Sequence, residues 1–92
     1  VETMAGVAAA AGGAWEAAEE HFQRALEQAE TLPYRLEQVE TRRWWASMLL
    51  RRSRPEDLSR ARQLAAEAIP ICEEVGLSMH QRIIGDLLHR TE

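Results

Sequence analysis

The 92-residue sequence has one cysteine, few aromatic residues and no long apolar segment. Because Cys72 has no partner for an internal disulfide, the chain fits a reducing compartment, and we predict a cytoplasmic protein. No apolar run approaches the roughly 18–20 residues of a membrane-spanning helix, which predicts no membrane partner. An aromatic content of 5% combined with abundant alanine favours closely packed helices over sheets.

Basic residues are in the minority, with 11 Lys and Arg against 15 Asp and Glu and a net charge of −4. Such a chain has no overall positive field to attract nucleic acid. One short basic cluster at residues 51–54 is suited to phosphate contact, but within an acidic chain it is weak evidence. We therefore predict no nucleic-acid partner.

The first residues resemble a secretory signal only superficially. Residues 4–14 are small and apolar, but no basic segment precedes them and no strongly hydrophobic core follows. The sequence also begins with Val1 instead of methionine. We predict that the chain is a piece of a longer protein.

No group of residues has the spacing of a catalytic or metal site. His80 and His89 have no carboxylate at a ligand spacing, and Gly12-Gly13 is not followed by the lysine of a phosphate-binding loop. Cys72 lies on an apolar stripe, where a buried thiol is the usual case. The sequence predicts a protein that is not an enzyme and that needs no cofactor or metal.

An apolar stripe at helical spacing occurs twice, with a separation of 43 residues. A helical pattern that returns at a period between 20 and 50 residues is typical of stacked repeat proteins. The first copy comprises Trp15, Ala18, Phe22, Ala25, Leu26 and Ala29, and the second comprises Leu58, Ala61, Ala65, Ala68, Ile69 and Cys72.

Glycine, proline and polar residues divide the chain into five predicted helices, at about 1–11, 14–31, 34–52, 58–75 and 78–90. We expect Asp57 to be the N-cap of the fourth helix and Ser78 to open a capping box for the fifth. Pro70 lies inside the fourth helix with its ring pointing outward. In the third helix, Leu36 belongs to the core face, whereas Trp44 and Met48 point the other way and indicate a second surface.

These residues resemble the tetratricopeptide repeat family, whose helices A and B pair through small residues. Residues 45–52 and 55–61 are similar to the repeat region of large bacterial signalling ATPases, transcriptional regulators and nucleotide cyclases. The residues of this sequence that carry the family pattern are Gly6, Gly13, Trp15, Ala18, Phe22 and Ala25, then Ala46, Leu58, Ala61, Ala65 and Ala68, and finally Gly85.

The resemblance implies an all-α fold of antiparallel helical hairpins, stacked as a short right-handed solenoid of about five helices. One domain would cover residues 1–92, with repeat 1 at about 1–32, repeat 2 at about 33–76 and an extra helix at about 78–90. Helices A line the concave face of such a solenoid, where side chains can meet a ligand. The residues expected there are Thr3, Val7, Glu40, Arg43, Trp44, Ser47, Arg82, Asp86 and His89.

Two functions remain open at this stage. One is a scaffold that binds a protein or peptide, because Trp and Arg are common anchors of interfaces. The other is a segment that senses a small effector on behalf of a parent regulator or cyclase. Trp44 itself has two interpretations, since it could also pack against a neighbouring helix. As an isolated fragment the chain is expected to form a homodimer through an end helix, with Trp44 and Met48 as the alternative contact.

Overall fold

The computed structural model describes residues 2–31 and 34–92, and it is all-α. Each helix begins and ends within one or two residues of its predicted bounds, which confirms the predicted fold class. The break expected at Pro33 lies outside the described residues. The helices are α1 (Glu2–Ala11), α2 (Trp15–Thr31), α3 (Arg35–Arg52), α4 (Asp57–Val75) and α5 (Ser78–His89).

The helices form an antiparallel stack with α3 at its centre. Consecutive helices pack on one another, and α3 also contacts α1 and α5. Helices α1, α3 and α5 therefore lie side by side, while α2 and α4 pack against them from one side. Gly76 ends α4 in the left-handed region (φ 73°), and its N–H donates to the Cys72 carbonyl, as a helix C-cap requires.

Helix α1 approaches α2 closely because it has a glycine at the crossing point. A Cβ added to Gly6 would lie 2.7 Å from Cε1 of Phe22, which is too close for two carbon atoms. Ala46, the corresponding small residue of α3, is fully buried. Around Gly85 of α5, in contrast, no atom lies within 4 Å of the added Cβ.

The core consists of two adjoining clusters. The first includes Phe22 and Trp45, whose rings stack with centroids 6.2 Å apart. The second brings α5 onto α4 through Ile84 and Cys72, which are both fully buried. The face of α5 that packs inward is thus covered by its neighbours within the chain.

Several predicted positions in this core are wrong. Met48, expected to point outward, is only 1% exposed, because α3 is buried on more than one side. Leu36 and Leu58, expected in the core, are 50% and 46% exposed. Both lie near the beginning of a helix, where the neighbouring helices no longer cover the side chain.

The two predicted caps are also wrong, whereas the orientation of Pro70 is confirmed. Helix α4 begins at Asp57, and its side chain turns inward to Arg52 instead of capping the helix. Helix α5 begins at Ser78, and Leu77 occupies the N-cap position with no side-chain capping bond. Pro70 is exposed, and α4 continues past it to Val75.

Two arginines of α3 are buried and paired. Arg42 contacts Glu30 of α2 (3.1 Å) and Glu67 of α4 (3.3 Å) and also donates to the Gln38 carbonyl. Because each carboxylate comes from a different helix, this single guanidinium joins α2, α3 and α4.

Arg52 makes the second such group near the other end of α3. Its guanidinium donates to both carboxylate oxygens of Asp57 (2.8 and 2.7 Å) and to Glu19 of α2 (2.8 Å). The side chains of Arg52 and Asp57 are only 6% and 2% exposed. These bonds hold the pKa of Asp57 below its ordinary value and raise that of Arg52.

Candidate functional site

The surface of α3 between α1 and α5 carries a row of polar and aromatic side chains, which we call the open face of α3. Glu37, Glu40, Trp44 and Ser47 follow one another at spacings of three and four residues, so they lie along one side of the helix. Arg43 lies beside them. Except for Glu37, which is exposed, these side chains are half-buried.

Neighbouring charges connect the open face of α3 to α5. The Arg43 guanidinium lies 4.3 Å above the centroid of the Trp44 ring, a cation–π distance. Its Nη1 also donates to Glu40 Oε2 at 3.2 Å. The other oxygen of Glu40 is 3.4 Å from Nε2 of His80 in α5. Trp44, Arg43, Glu40 and His80 therefore form one continuous polar chain across the stack.

Trp44 separates two small cavities between α1 and α3. One has a volume of about 140 Å³ and the other about 170 Å³. Each is large enough for a single side chain but too small for a drug-sized ligand. The first is lined by Thr3, Met4, Glu37, Glu40 and Trp44. The second is lined by Val7, Ala10, Ala11, Phe22, Trp44, Ser47 and Arg51.

The predicted surface residues of α1 are placed differently from one another. Thr3 is only 3% exposed. Its hydroxyl donates to Glu37 Oε2 (3.0 Å) and lies 2.9 Å from the hydroxyl of Thr41. Its side chain therefore joins α1 to α3, and Thr3 reaches the open face of α3 only as part of the lining of the smaller cavity. Val7 is half-buried and lines the larger of the two cavities.

The predicted residues of α5 lie apart from the rest. Arg82, Asp86 and His89 are exposed. In the described part of the chain, no hydrogen bond or ion pair joins any of them to the open face of α3. His89 pairs instead with Glu92 at 3.2 Å. The structure thus brings together Glu40, Arg43, Trp44 and Ser47 and leaves the α5 group separate.

Sequence reasoning missed three residues of this site. Glu37 could have been found, because it is one helical turn before Glu40. Met4 and His80 could not have been found in this way. Their places beside α3 depend on how far α1 and α5 are shifted along it, and no local pattern encodes that shift.

The remaining reactive groups offer little chemistry. Cys72 is fully buried, and burial raises the pKa of its thiol, so the thiol stays protonated and unreactive at neutral pH. Among residues 2–31 and 34–92, no three His, Cys, Asp or Glu side chains are grouped so that they could hold a metal ion. None of the described helices has the length and apolarity needed to cross a membrane.

Comparisons of the chain with protein-family models, with curated proteins and with solved structures found no match. The tetratricopeptide resemblance therefore remains a prediction from the residues. The features of the molecule that bear on function are the open face of α3 and the two cavities beside Trp44.

Proposed function

We propose that the chain is a non-catalytic scaffold that binds a protein or peptide segment on the open face of α3. We further propose that it is a tetratricopeptide-like segment of a larger cytoplasmic protein of bacterial signalling or regulation. The observation that carries the first proposal is Trp44, which is half-buried, covered by Arg43 and bordered by two cavities. Aromatic and arginine side chains beside pockets of side-chain size are typical anchors of protein interfaces.

The two interpretations of Trp44 are compatible. Part of the side chain packs against the core cluster that contains Phe22 and Trp45. The rest lines both cavities and contacts the Arg43 guanidinium. A ring fixed by the core loses little freedom when a partner binds, which favours affinity. Packing of Trp44 within the chain therefore supports its role as an anchor.

Selection of peptides against the chain, followed by calorimetry on the selected peptides, tests the proposal. We expect Arg43→Ala to weaken binding about tenfold, the loss typical of an interface anchor. Arg35→Ala is the matched control. Arg35 is also in α3 and also pairs with one carboxylate, Glu74 at 2.8 Å, but it is two and a half turns before Trp44 and therefore on the opposite side of the helix. Both variants should retain the helical circular-dichroism spectrum. Unchanged affinity in Arg43→Ala would reject this face as the binding surface.

A second candidate function is the sensing of a small effector. A cavity of about 320 Å³ between α1, α2 and the beginning of α3 is within the size range of small-molecule sites. A thermal-shift screen with metabolites would separate the two functions, because a bound effector stabilises the fold by mass action. The lining residues are Glu2, Thr3, Ala25, Gln28, Ala29, Tyr34 and Glu37.

We also propose that the isolated chain forms a homodimer through α1. Ala8 and Ala11 of α1 are exposed, whereas Ile84 and Leu87 of α5 are buried and the exposed apolar side chain of α5 is Met79 in its first turn. In the alternative contact through Trp44 and Met48, Met48 is buried and Trp44 is half-buried, so that contact would have to depend on Trp44. Light scattering after size exclusion should show a dimer at tens of micromolar, and a stable monomer of 10.4 kDa would contradict the proposal.

A further inference from the structure

We infer that the cavity between Met4 and Glu37 binds a cationic side chain, a lysine or arginine of the partner segment. The inference rests on the proposed function and makes it more specific, because it names the chemistry of one residue in the partner. The volume of this cavity, about 140 Å³, suits one long side chain. Two carboxylates, one indole and one thioether line it, together with the Thr3 hydroxyl.

The two carboxylates of this cavity differ in how far they are already paired. Glu40 is already engaged by Arg43 and by His80. Glu37 accepts a hydrogen bond only through Oε2, from Thr3. Within residues 2–31 and 34–92, no arginine or histidine nitrogen is in salt-bridge range of Glu37. Glu37 is thus a carboxylate on a cavity wall whose second oxygen is available to a cation from another molecule.

Part of the cavity lining is apolar. Met4 is 54% exposed, and its side chain borders the cavity opposite the Trp44 ring. Lysine and arginine carry a methylene stem behind the charge, and such stems pack well on thioether and aromatic surfaces. A cavity with apolar walls and a carboxylate therefore matches both parts of a long cationic side chain.

The other cavity beside Trp44 differs in the charge of its lining. The 170 Å³ cavity on the far side of Trp44 has no carboxylate in its lining and is bordered by Arg51. Glu37 and Glu40 would repel an acidic side chain from the smaller cavity, whereas nothing in the lining of the 170 Å³ cavity would repel it. The two cavities therefore distinguish the charge of incoming side chains, and the cation belongs beside Glu37.

Nuclear magnetic resonance of the indole N–H groups tests the site without a known partner. The probes are N-acetyl-lysine methylamide and, as the uncharged match, N-acetyl-norleucine methylamide. Since the chain contains no lysine, acetylation of its N-terminus leaves the probe as the only primary amine. Trp45 is the internal reference, because its Nε1 donates to Glu19 away from the cavity (3.3 Å).

We expect the lysine probe to shift the Trp44 indole resonance saturably, with a Kd on the order of millimolar, and to leave Trp45 unchanged. Glu37→Gln should weaken this binding about threefold to fivefold, the range of a partly exposed ion pair. The glutamine carbonyl can still accept the Thr3 hydrogen bond, so the fold is retained. Glu73→Gln, an exposed position of α4, is the matched control and should bind like the unmodified chain.

Three results would overturn the inference: no shift of Trp44, an equal shift with the norleucine probe, or equal binding by Glu37→Gln. The failure of the proposed function is separately visible. If selected peptides bind and depend on Arg43, but replacing their lysines and arginines by norleucine changes nothing, the binding face stands and the cation site does not. If no peptide binds while the lysine probe still does, the cavity accepts a cationic side chain but the proposed peptide-binding function fails.

Discussion

Arg42 and Arg52 lie on the side of α3 that faces α2 and α4, whereas Arg43 lies on the open face. Each buried arginine is held by one carboxylate from α2 and one from α4. Arg43 instead pairs with Glu40 of its own helix and covers Trp44. The first two ion groups therefore each tie three helices together, whereas the third reaches only from α3 to α5, through the contact of Glu40 with His80. Of the three arginines, Arg43 is the one that can exchange its carboxylate partner without disturbing the packing of the helices.

The physical basis of this difference is desolvation. A charge removed from water is stable only while its partner is present, so losing one member of a buried pair is costly. A half-buried pair on one helix contributes little, because water can replace either partner. The comparison predicts that substitutions on the buried side change stability, whereas those on the open face mainly change binding.

The largest effect is expected for Arg52→Met. This change leaves the Asp57 carboxylate buried without its bidentate partner, and such a loss costs about 3–5 kcal/mol. Urea unfolding at pH 7, followed by circular dichroism, gives the free energy of unfolding. The matched variant on the open face is Arg43→Ala, for which the loss should be at most about 1 kcal/mol. Equal losses in the two variants would remove the distinction between the two sides of α3.

A smaller effect is expected from acid. The pKa of Asp57 is lowered in the folded chain by its hydrogen bonds from Arg52, so the ionised carboxylate stabilises the fold above the unfolded pKa of about 3.9. This contribution is lost as the pH falls through the lower folded value. The difference in unfolding free energy between the unmodified chain and Asp57→Asn should therefore shrink below about pH 4.

The acid experiment also has an internal check. A hydrogen bond from His21 lowers the pKa of Glu2, and a backbone hydrogen bond lowers that of Glu16. A weaker acid dependence should therefore persist in Asp57→Asn. A difference between the two proteins that stays constant from pH 7 to acid would show that Asp57 is not the main titrating group.

The sequence was sufficient for the helices but not for the buried charges. Periodicity and glycine positions predicted all five helices, because those signals are local. The resemblance led us to expect a small residue where α1 meets α2, and Gly6 does lie there, against the Phe22 ring. The sequence predicted no structural role for Arg42 or Arg52, because charged side chains are normally solvated. Their partners are on α2 and α4, so only packing brings them together.

For the candidate site, the sequence located the central part and missed the periphery. Trp44, Arg43 and Glu40 come from one helix, so helical spacing was enough to group them. The burial of Thr3 was not foreseen, because its hydroxyl contacts Glu37 and Thr41 of α3 and a threonine in the first turn of a helix can also face water. His80 was missed because its contact with Glu40 spans two helices and depends on their relative shift.

An intermediate loss is expected for Gly6→Ala, which tests the close packing of α1 on α2. The new Cβ would meet the Phe22 ring at 2.7 Å, and that ring cannot move because it is fully buried and stacked on Trp45. Overpacking outweighs the better helix propensity of alanine, for a net loss of about 1–2 kcal/mol in unfolding free energy. An increase in stability would show that α1 and α2 are less closely packed at Gly6 than the 2.7 Å distance to Phe22 indicates.

The smallest effect, with the opposite sign, is expected for Gly85→Ala in α5. Gly6 and Gly85 are both interior helical glycines, and the same methyl group is added in each case. Around Gly85 no atom lies within 4 Å of the new Cβ, so nothing opposes the gain in helix propensity. We expect unfolding free energy to rise by about 0.5–1 kcal/mol in urea titrations of the same kind. Because the two substitutions share the same change in unfolded-state entropy, the difference between them measures the packing of α2 on α1 alone. If Gly85→Ala were destabilising as well, another surface, such as a second copy of the chain, would have to cover that flank of α5, and the dependence of the loss on protein concentration would reveal it.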